Sequence, residues 1–178
     1  GVVLDLGGGK NPSYLGFIKG VSGAEIRNID KQHASGSARD IDFEKDKLPY
    51  EDESIDQVLM LNVLEHVYNH NFFVSEAHRV LKRGKTLIGF VPFLINYHAD
   101  PHDYFRYTHE ALEEIFKNTG FSGIRIYQIG LGPFSVNFNT LASFMPRLFT
   151  TLLWPFCYLV DRILLVMATG TGKTYTAF

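Results

Sequence analysis

The ten residues from His98 to Tyr107 hold two histidines, two aspartates, an arginine and two tyrosines. Imidazoles titrate near neutral pH and can take a proton from a hydroxyl. An arginine fork can grip an anionic or hydroxyl-rich group. His98, His102 and Arg106 are therefore the catalytic candidates, and Asp103, Tyr104 and Tyr107 the substrate-binding ones. The same residues also fit a rigid loop in which Asp103 pairs with Arg106 and the tyrosine rings pack. No metal is expected, because His98 and His102 have ligand spacing only on a helix and Pro101 opposes one there.

A second set stands near the start of the chain. Asp5-Leu6-Gly7-Gly8-Gly9-Lys10-Asn11-Pro12 follows a short apolar run, and glycines at such a place allow a tight turn and close approach of a ligand to the main chain. It is not the dinucleotide fingerprint, since Pro12 occupies the place of the third glycine. The acidic Asp5 ahead of the glycines favours a nucleoside over a pyrophosphate, although a structural tight turn fits the same residues. Asp30 closes the next apolar segment, where a carboxylate can accept both hydroxyls of a ribose or stand as a solvated strand end. Asp42-Phe43 offers a carboxylate to an exocyclic amine and a ring to a purine face, or a loop aspartate beside a core phenylalanine.

These groups need elements to hold them. Strands are expected at residues 2–6, 25–29, 40–43, 55–61, 86–91 and 123–129, and helices at 14–19, 63–83 and 109–119, the last capped by Thr108 and stopped at Gly120. Strands alternating with helices predict an α/β, Rossmann-like doubly wound, mainly parallel sheet with helices on both faces. The apolar run begins at once, so the helix that usually precedes a central first strand is expected to be lacking. Gly1 to Leu6 does not read as a secretory leader. On such a sheet, ligands bind beyond the carboxyl ends of the strands, which is where the glycine loop and residues 98–107 fall.

In order along the chain stand Asp5-Leu6-Gly7-Gly8-Gly9, Asp30, Asp42-Phe43-Glu44-Lys45, Leu48-Pro49-Tyr50, Ser54-Ile55-Asp56-Gln57-Val58, Asn62-Val63-Leu64-Glu65-His66-Val67 and Arg79-Val80-Leu81-Lys82-Arg83-Gly84-Lys85. This series resembles the class I S-adenosylmethionine-dependent methyltransferases, in their type 11 branch, over residues 2 to 130. The resemblance implies S-adenosylmethionine as cofactor. Asp5, Gly7 and Gly9 would line its methionine side, Asp30 would bind the ribose hydroxyls and Lys31 would pack beside the adenine. Asp42 and Phe43 would address the adenine amine and ring, Asn62 would lie along the methionine part, and His66 would face the pocket. Asn11 departs from the family pattern, which often has a third glycine there. Residues 98–107 are similar to a run in small methyltransferases of bacterial surface-polysaccharide context, so the implied acceptor is a small molecule or glycan, methylated at oxygen. The segment after the fourth strand is not an Asn-Pro-Pro-Tyr type motif, which counts against methylation of adenine or glutamine nitrogen.

Residues 1–130 read as the cofactor-binding domain and residues 131–161 as its apolar helical cover or lid. Residues 162–178 form a tail, with a last strand at Ile163–Met167 and then Gly172-Lys173-Thr174. That tail resembles the first nucleotide-binding motif of type I restriction enzyme motor subunits. Four residues follow Thr174, too few for the helix a phosphate loop needs. A truncated or fused, non-catalytic domain is therefore the alternative reading, and a helicase-like nucleotide-binding fragment the third. A net charge of −2 offers no footprint for nucleic acid. The single cysteine, Cys157, forms no internal disulfide and fits a reducing, cytoplasmic compartment. Leu148 to Val160 carries no charge but is shorter than the roughly 20 residues of a spanning helix. Peripheral membrane contact through residues 131–160 is the membrane association this pattern allows.

Overall fold

The computed structural model describes residues 1–9, 14, 23–30, 33–34, 41–127, 132–142 and 144–170. Two compact units divide the chain, one of residues 1–92 and 98–124, the other of residues 93–97 and 125–178. The first is built on a five-stranded sheet of order β3-β2-β1-β4-β5, with β1 Val2–Leu6, β2 Glu25–Asp30, β3 His33–Ala34, β4 Ile55–Leu61 and β5 Leu81–Phe90. β1 pairs in parallel with β2 and β4, and β4 with β5, whereas the two-residue β3 runs antiparallel to β2. The mainly parallel, Rossmann-like architecture is the expected one.

β1 lies in the middle because it can. Val3, Leu4, Asp5 and Leu6 are all buried, and a strand covered on both faces reads as a continuous apolar run rather than an alternating one. β4 contributes Ile55, Val58, Leu59 and Met60 to the same interior, and α1, His70–Val80, covers it with Phe73, Val74, Ala77 and Val80. The chain leaves β1 toward β2 and returns to β4 on the other side. The carboxyl ends of β1 and β4 thus flank the topological switch point, where open α/β sheets bind ligands.

Three of the elements expected around the sheet differ. Residues 41–43 form a turn instead of a third strand: the Asp42 carboxylate accepts from the Glu44 N–H at 3.0 Å, and its carbonyl accepts from the N–H of Asp46 at 2.8 Å. An aspartate that bonds its own following backbone competes with a ladder and favours a turn. The single helix expected over 63–83 is a 3-10 turn at Leu64–His66 followed by α1, and Leu81 already belongs to β5. Leu81 pairs with Ile55 and Thr86 with Gln57, so residues 82–85 bulge out, with Gly84 at a φ of +70°. Lys82 donates to Asp56 at 3.0 Å across that bulge. Residues 123–127 carry no strand; the rest of that expected element, like the helix expected over 15–19, lies outside the described residues. α2, His109–Asn118, starts as anticipated, with the Thr108 hydroxyl accepting from the Ala111 N–H at 3.2 Å.

In the second unit α3, Pro133–Ala142, packs with α4, Arg147–Gly170. Asp161 of α4 is 3% exposed and accepts from the N–H groups of Phe134 and Ser135 at 3.0 and 2.7 Å. Those amides open α3 and have no partner within it, so a carboxylate from the next helix satisfies them. The strand expected at Ile163–Met167 is part of α4. A short aliphatic run fits either structure by pattern, and its continuity with 16 preceding helical residues decides for the helix. No helix among the described residues is long and apolar enough to cross a membrane. Gly172-Lys173-Thr174 lies outside the described residues.

Candidate active site

The loop after β1 turns back sharply. Gly7 has a φ of +79° and donates its N–H to the Ile29 carbonyl at 2.8 Å, which ties the loop to β2. A Cβ on Gly7 would lie 2.6 Å from a methyl of Val63, and one on Gly8 would lie 2.0 Å from the Asp5 carboxylate. Gly9, with a φ of +67°, is held by the Asn28 amide, which donates to its carbonyl. A Cβ on Gly9 would have the Asp30 carboxylate as its neighbour, at 3.8 Å. The backbone of the loop and a carboxylate from the neighbouring strand therefore face each other at the carboxyl edge of the sheet. Glycine is needed here for both conformation and room.

Asp5 is fully buried, and both of its oxygens accept from the Tyr14 hydroxyl, at 2.8 and 2.7 Å. Burial pushes its carboxyl above the usual carboxylate range, the Tyr14 bond opposes this, and the nearby Asp30 adds to it. Burial and Asp5 together push the Tyr14 phenol upward. Asp5 therefore anchors the loop, rather than presenting a free carboxylate along it. Lys31 lies outside the described residues.

Phe43, expected to stack on a purine, is 3% exposed and stacks on Phe73 with ring centroids 4.5 Å apart. Its ring belongs to the core, where apolar burial is worth more than a solvent-facing contact. Asp42 stays at the surface in an ion pair with Lys45 at 3.0 Å.

The segment after β4 is unusual. Asn62 has a φ of +52°, a left-handed conformation that few residues other than glycine adopt, and donates its N–H to the Phe90 carbonyl at 2.9 Å. It sets the course of Leu64–His66, which places Glu65 inward and His66 at the edge. Glu65 is fully buried, and neither carboxylate oxygen has a hydrogen-bond partner among the described residues. Burial pushes its carboxyl upward, and its own backbone N–H, then His66 and His98, work against the shift.

The segment from His98 to Tyr107 folds back onto this turn. The Tyr104 N–H donates to the Glu65 carbonyl at 2.8 Å, and the His66 Nδ1 lies 2.5 Å from the His102 carbonyl. His98 approaches Glu65, its Nε2 being 3.6 Å from Oε1, and meets the His66 ring edge-on at 5.0 Å. Asp103, with its side chain 1% exposed, accepts from the His98 N–H at 2.9 Å and from Arg106 Nη2 at 2.7 Å. The Arg106 guanidinium holds the Asp103 carboxyl well below the usual range.

Three of the expected roles change as a result. Arg106 and Asp103 are engaged with each other as a two-pronged pair, which is the rigid-loop reading of these residues. Tyr107 is 7% exposed, packs in the core and donates its hydroxyl to the Leu64 carbonyl at 3.2 Å; burial, then the charge of Glu65, pushes its phenol upward. It braces the turn and does not present itself to a substrate. Among the expected groups of this segment, His98, His102 and Tyr104 keep access to solvent. Glu65 and Tyr14 are the residues that sequence reasoning passed over. A glutamate directly before the site histidine, and a tyrosine nine residues beyond a strand-end aspartate, were the available signals.

Residues 4–89 match the family model of a methyltransferase domain. Over 143 residues the chain is 29% identical to a rice (Oryza sativa subsp. japonica) protein named 2-methyl-6-phytyl-1,4-hydroquinone methyltransferase 1, chloroplastic, covering 72% of this chain and 43% of the rice protein. The chain therefore spans less than half the length of that relative. A crystal structure of a SAM-dependent methyltransferase from Archaeoglobus fulgidus superposes with a TM-score of 0.60 at 18% identity, over 91% of this chain and 80% of that one. One from Aquifex aeolicus gives 0.55 at 21% identity, over 72% and 76%. The Burkholderia thailandensis 1,6-didemethyltoxoflavin-N1-methyltransferase, solved with bound 1,6-didemethyltoxoflavin and S-adenosylhomocysteine, gives 0.56 at 15% identity, over 72% and 64%. The solved structures share the fold.

Proposed function

We propose that this chain, whose residues 4–89 match the model of a methyltransferase domain, binds S-adenosylmethionine and transfers its methyl group to a hydroxyl oxygen of a small-molecule acceptor. The cofactor would supply an activated methyl on a sulfonium, so the protein's tasks are to bind, to align and to remove a proton. The cradle suits that group. The positive-φ glycines leave backbone exposed at the carboxyl end of β1, and Asp30 at the end of β2 can accept from two ribose hydroxyls. Asp42 is the remaining candidate for the adenine amine, since Phe43 is committed to the core.

The observation that carries the oxygen reading is the imidazole–carboxylate cluster at the carboxyl ends of β4 and β5. His98 keeps 37% of its side chain exposed and has the buried Glu65 carboxylate 3.6 Å behind it. The imidazole thus has a buried carboxylate on one side and solvent on the other, from which a hydroxyl can approach within proton-transfer reach. His66 and His102 stand beside it, and Tyr104 offers an exposed ring. Asp103 and Arg106 position His98 through the Asp103 contact to its backbone N–H. The rice relative is named for methylation of a hydroquinone, so hydroxylated aromatic compounds are acceptors to try first, ahead of glycans.

The test is a labelled-methyl screen with S-adenosylmethionine against hydroxylated small molecules, followed by location of the label. Label on oxygen, lost in His98→Ala while S-adenosylhomocysteine still binds, is the expected result. Label on carbon, or transfer undiminished in His98→Ala, refutes the oxygen reading.

A peripheral membrane association has one specific observation in its favour. Leu148, Leu152, Phe156, Leu159 and Ile163 recur along one side of α4 and are each at least 50% exposed. Flotation of the full chain with anionic vesicles tests it, and recovery wholly in the unbound fraction would count against it.

A further inference from the structure

The geometry points to a divalent transition-metal site formed by Glu65 Oε1, His66 Nε2 and His98 Nε2, a class of ligand that the methyl-donor reading does not require. The three ligand atoms lie within 4.8 Å of one another. Glu65 Oε1 is 3.7 Å from His66 Nε2 and 3.6 Å from His98 Nε2. Those separations are too long for hydrogen bonds, so the three groups converge without bonding one another. They are close to the ligand–ligand edge of about 3.4 Å that a tetrahedral ion with bonds of about 2.1 Å would impose.

Two further observations favour a cation over mere crowding. Glu65 is fully buried and its oxygens have no hydrogen-bond partner among the described residues. A buried carboxylate left in that state costs free energy unless a positive charge meets it. His66 is also held from behind, as metal-ligating histidines are: its Nδ1 sits 2.5 Å from the His102 carbonyl. An acceptor at Nδ1 keeps the proton there and leaves the Nε2 lone pair directed at the ion. His98 Nδ1 faces the Arg106 guanidinium at 3.4 Å, and Asp103 fixes the residue through its backbone N–H at 2.9 Å.

Two histidines and one carboxylate leave a tetrahedral ion one open position, the pattern of catalytic rather than closed structural zinc sites. Imidazole and carboxylate donors suit zinc, cobalt and nickel better than magnesium or calcium. His98 keeps contact with solvent, so the open position can be reached. In the metal-loaded chain a hydroxyl acceptor would bind at that position and lose its proton more easily. His98 would then be a ligand, with His102 next in line for the proton. That last step deepens the methyl-transfer reading and rests on it; the metal site does not.

The experiment uses the full chain, freed of metal with a chelator and titrated with cobalt(II) and with zinc(II). Cobalt reports geometry through its visible absorption, and calorimetry gives stoichiometry. One ion per chain, a tetrahedral cobalt spectrum, and at least tenfold weaker binding in both Glu65→Gln and His98→Ala are expected. Circular dichroism and S-adenosylhomocysteine titration on each variant report folding and the cofactor site separately. Absence of stoichiometric binding overturns the site, as does binding that survives both substitutions in folded protein. Metal binding without S-adenosylhomocysteine binding would uphold the metal site and sink the methyltransferase reading instead.

Discussion

Removing the Arg106 guanidinium is expected to destabilise the fold without touching the cofactor site. Arg106→Ala leaves the Asp103 carboxylate with the His98 N–H at 2.9 Å and the more distant imidazole, in a place where its side chain is 1% exposed. Breaking a buried pair by deleting one partner costs about 3–5 kcal/mol. Arg106 itself is 25% exposed, and water can reach what it leaves behind. The expected loss is therefore nearer 2–3 kcal/mol, or about 5–10 °C in melting temperature for a chain of this size. Urea unfolding of wild type, Arg106→Ala, Asp103→Asn and the double variant measures it. The double variant should lose less than the sum of the singles, because the second change removes the stranded charge. S-adenosylhomocysteine affinity should stay within about twofold in all folded variants, since neither residue faces the glycine loop. A loss below about 0.5 kcal/mol, the range of an ordinary surface substitution, would refute the pairing and return Arg106 to the substrate side.

Asp30→Ala should weaken S-adenosylhomocysteine binding by about 1–3 kcal/mol, the cost of leaving hydroxyl partners unmet, with little change in melting temperature; calorimetry reads both outcomes. Gly7→Ala should cost at least about 1–2 kcal/mol from its left-handed φ alone, with more from the 2.6 Å approach to Val63. Adding Val63→Ala should recover only the steric part, which melting of the pair of variants resolves. Acid should unfold the protein partly through Asp103, held low by Arg106, and Asp56, held at about 2 by the Val2 N–H and Lys82. Their folded pKa values lie below the unfolded value of about 3.9, so the stability they contribute is present above that value and lost as pH falls through the folded ones. Asp103→Asn should flatten the loss between pH 5 and about 2 in denaturant titrations.

Local signals were readable in the sequence and tertiary ones were not. The glycine loop, Asp30 and the Thr108 cap each depend on a few neighbouring residues and a strand or helix end, so their positions could be read directly. The fates of Phe43 and Tyr107 depend on Phe73 and Leu64, residues distant in sequence. An aromatic residue next to a motif carries no mark of which way it will face. Glu65 is the clearest case. It reads as one polar residue in a short motif, and only the return of residues 98–104 over the turn makes it the buried centre of two imidazoles. Ile163–Met167 failed for another reason, because an aliphatic run of five fits a strand or a helix until its neighbours are known.

The claim on which the rest depends is that the loop after β1 and Asp30 at the end of β2 hold S-adenosylmethionine. Calorimetric titration of the full chain with S-adenosylhomocysteine and, separately, with ATP tests it most directly. The account predicts saturable binding of one S-adenosylhomocysteine per chain, weakened in Asp30→Ala, unchanged in Lys173→Ala, and no binding of ATP. Binding of ATP with none of S-adenosylhomocysteine would contradict it.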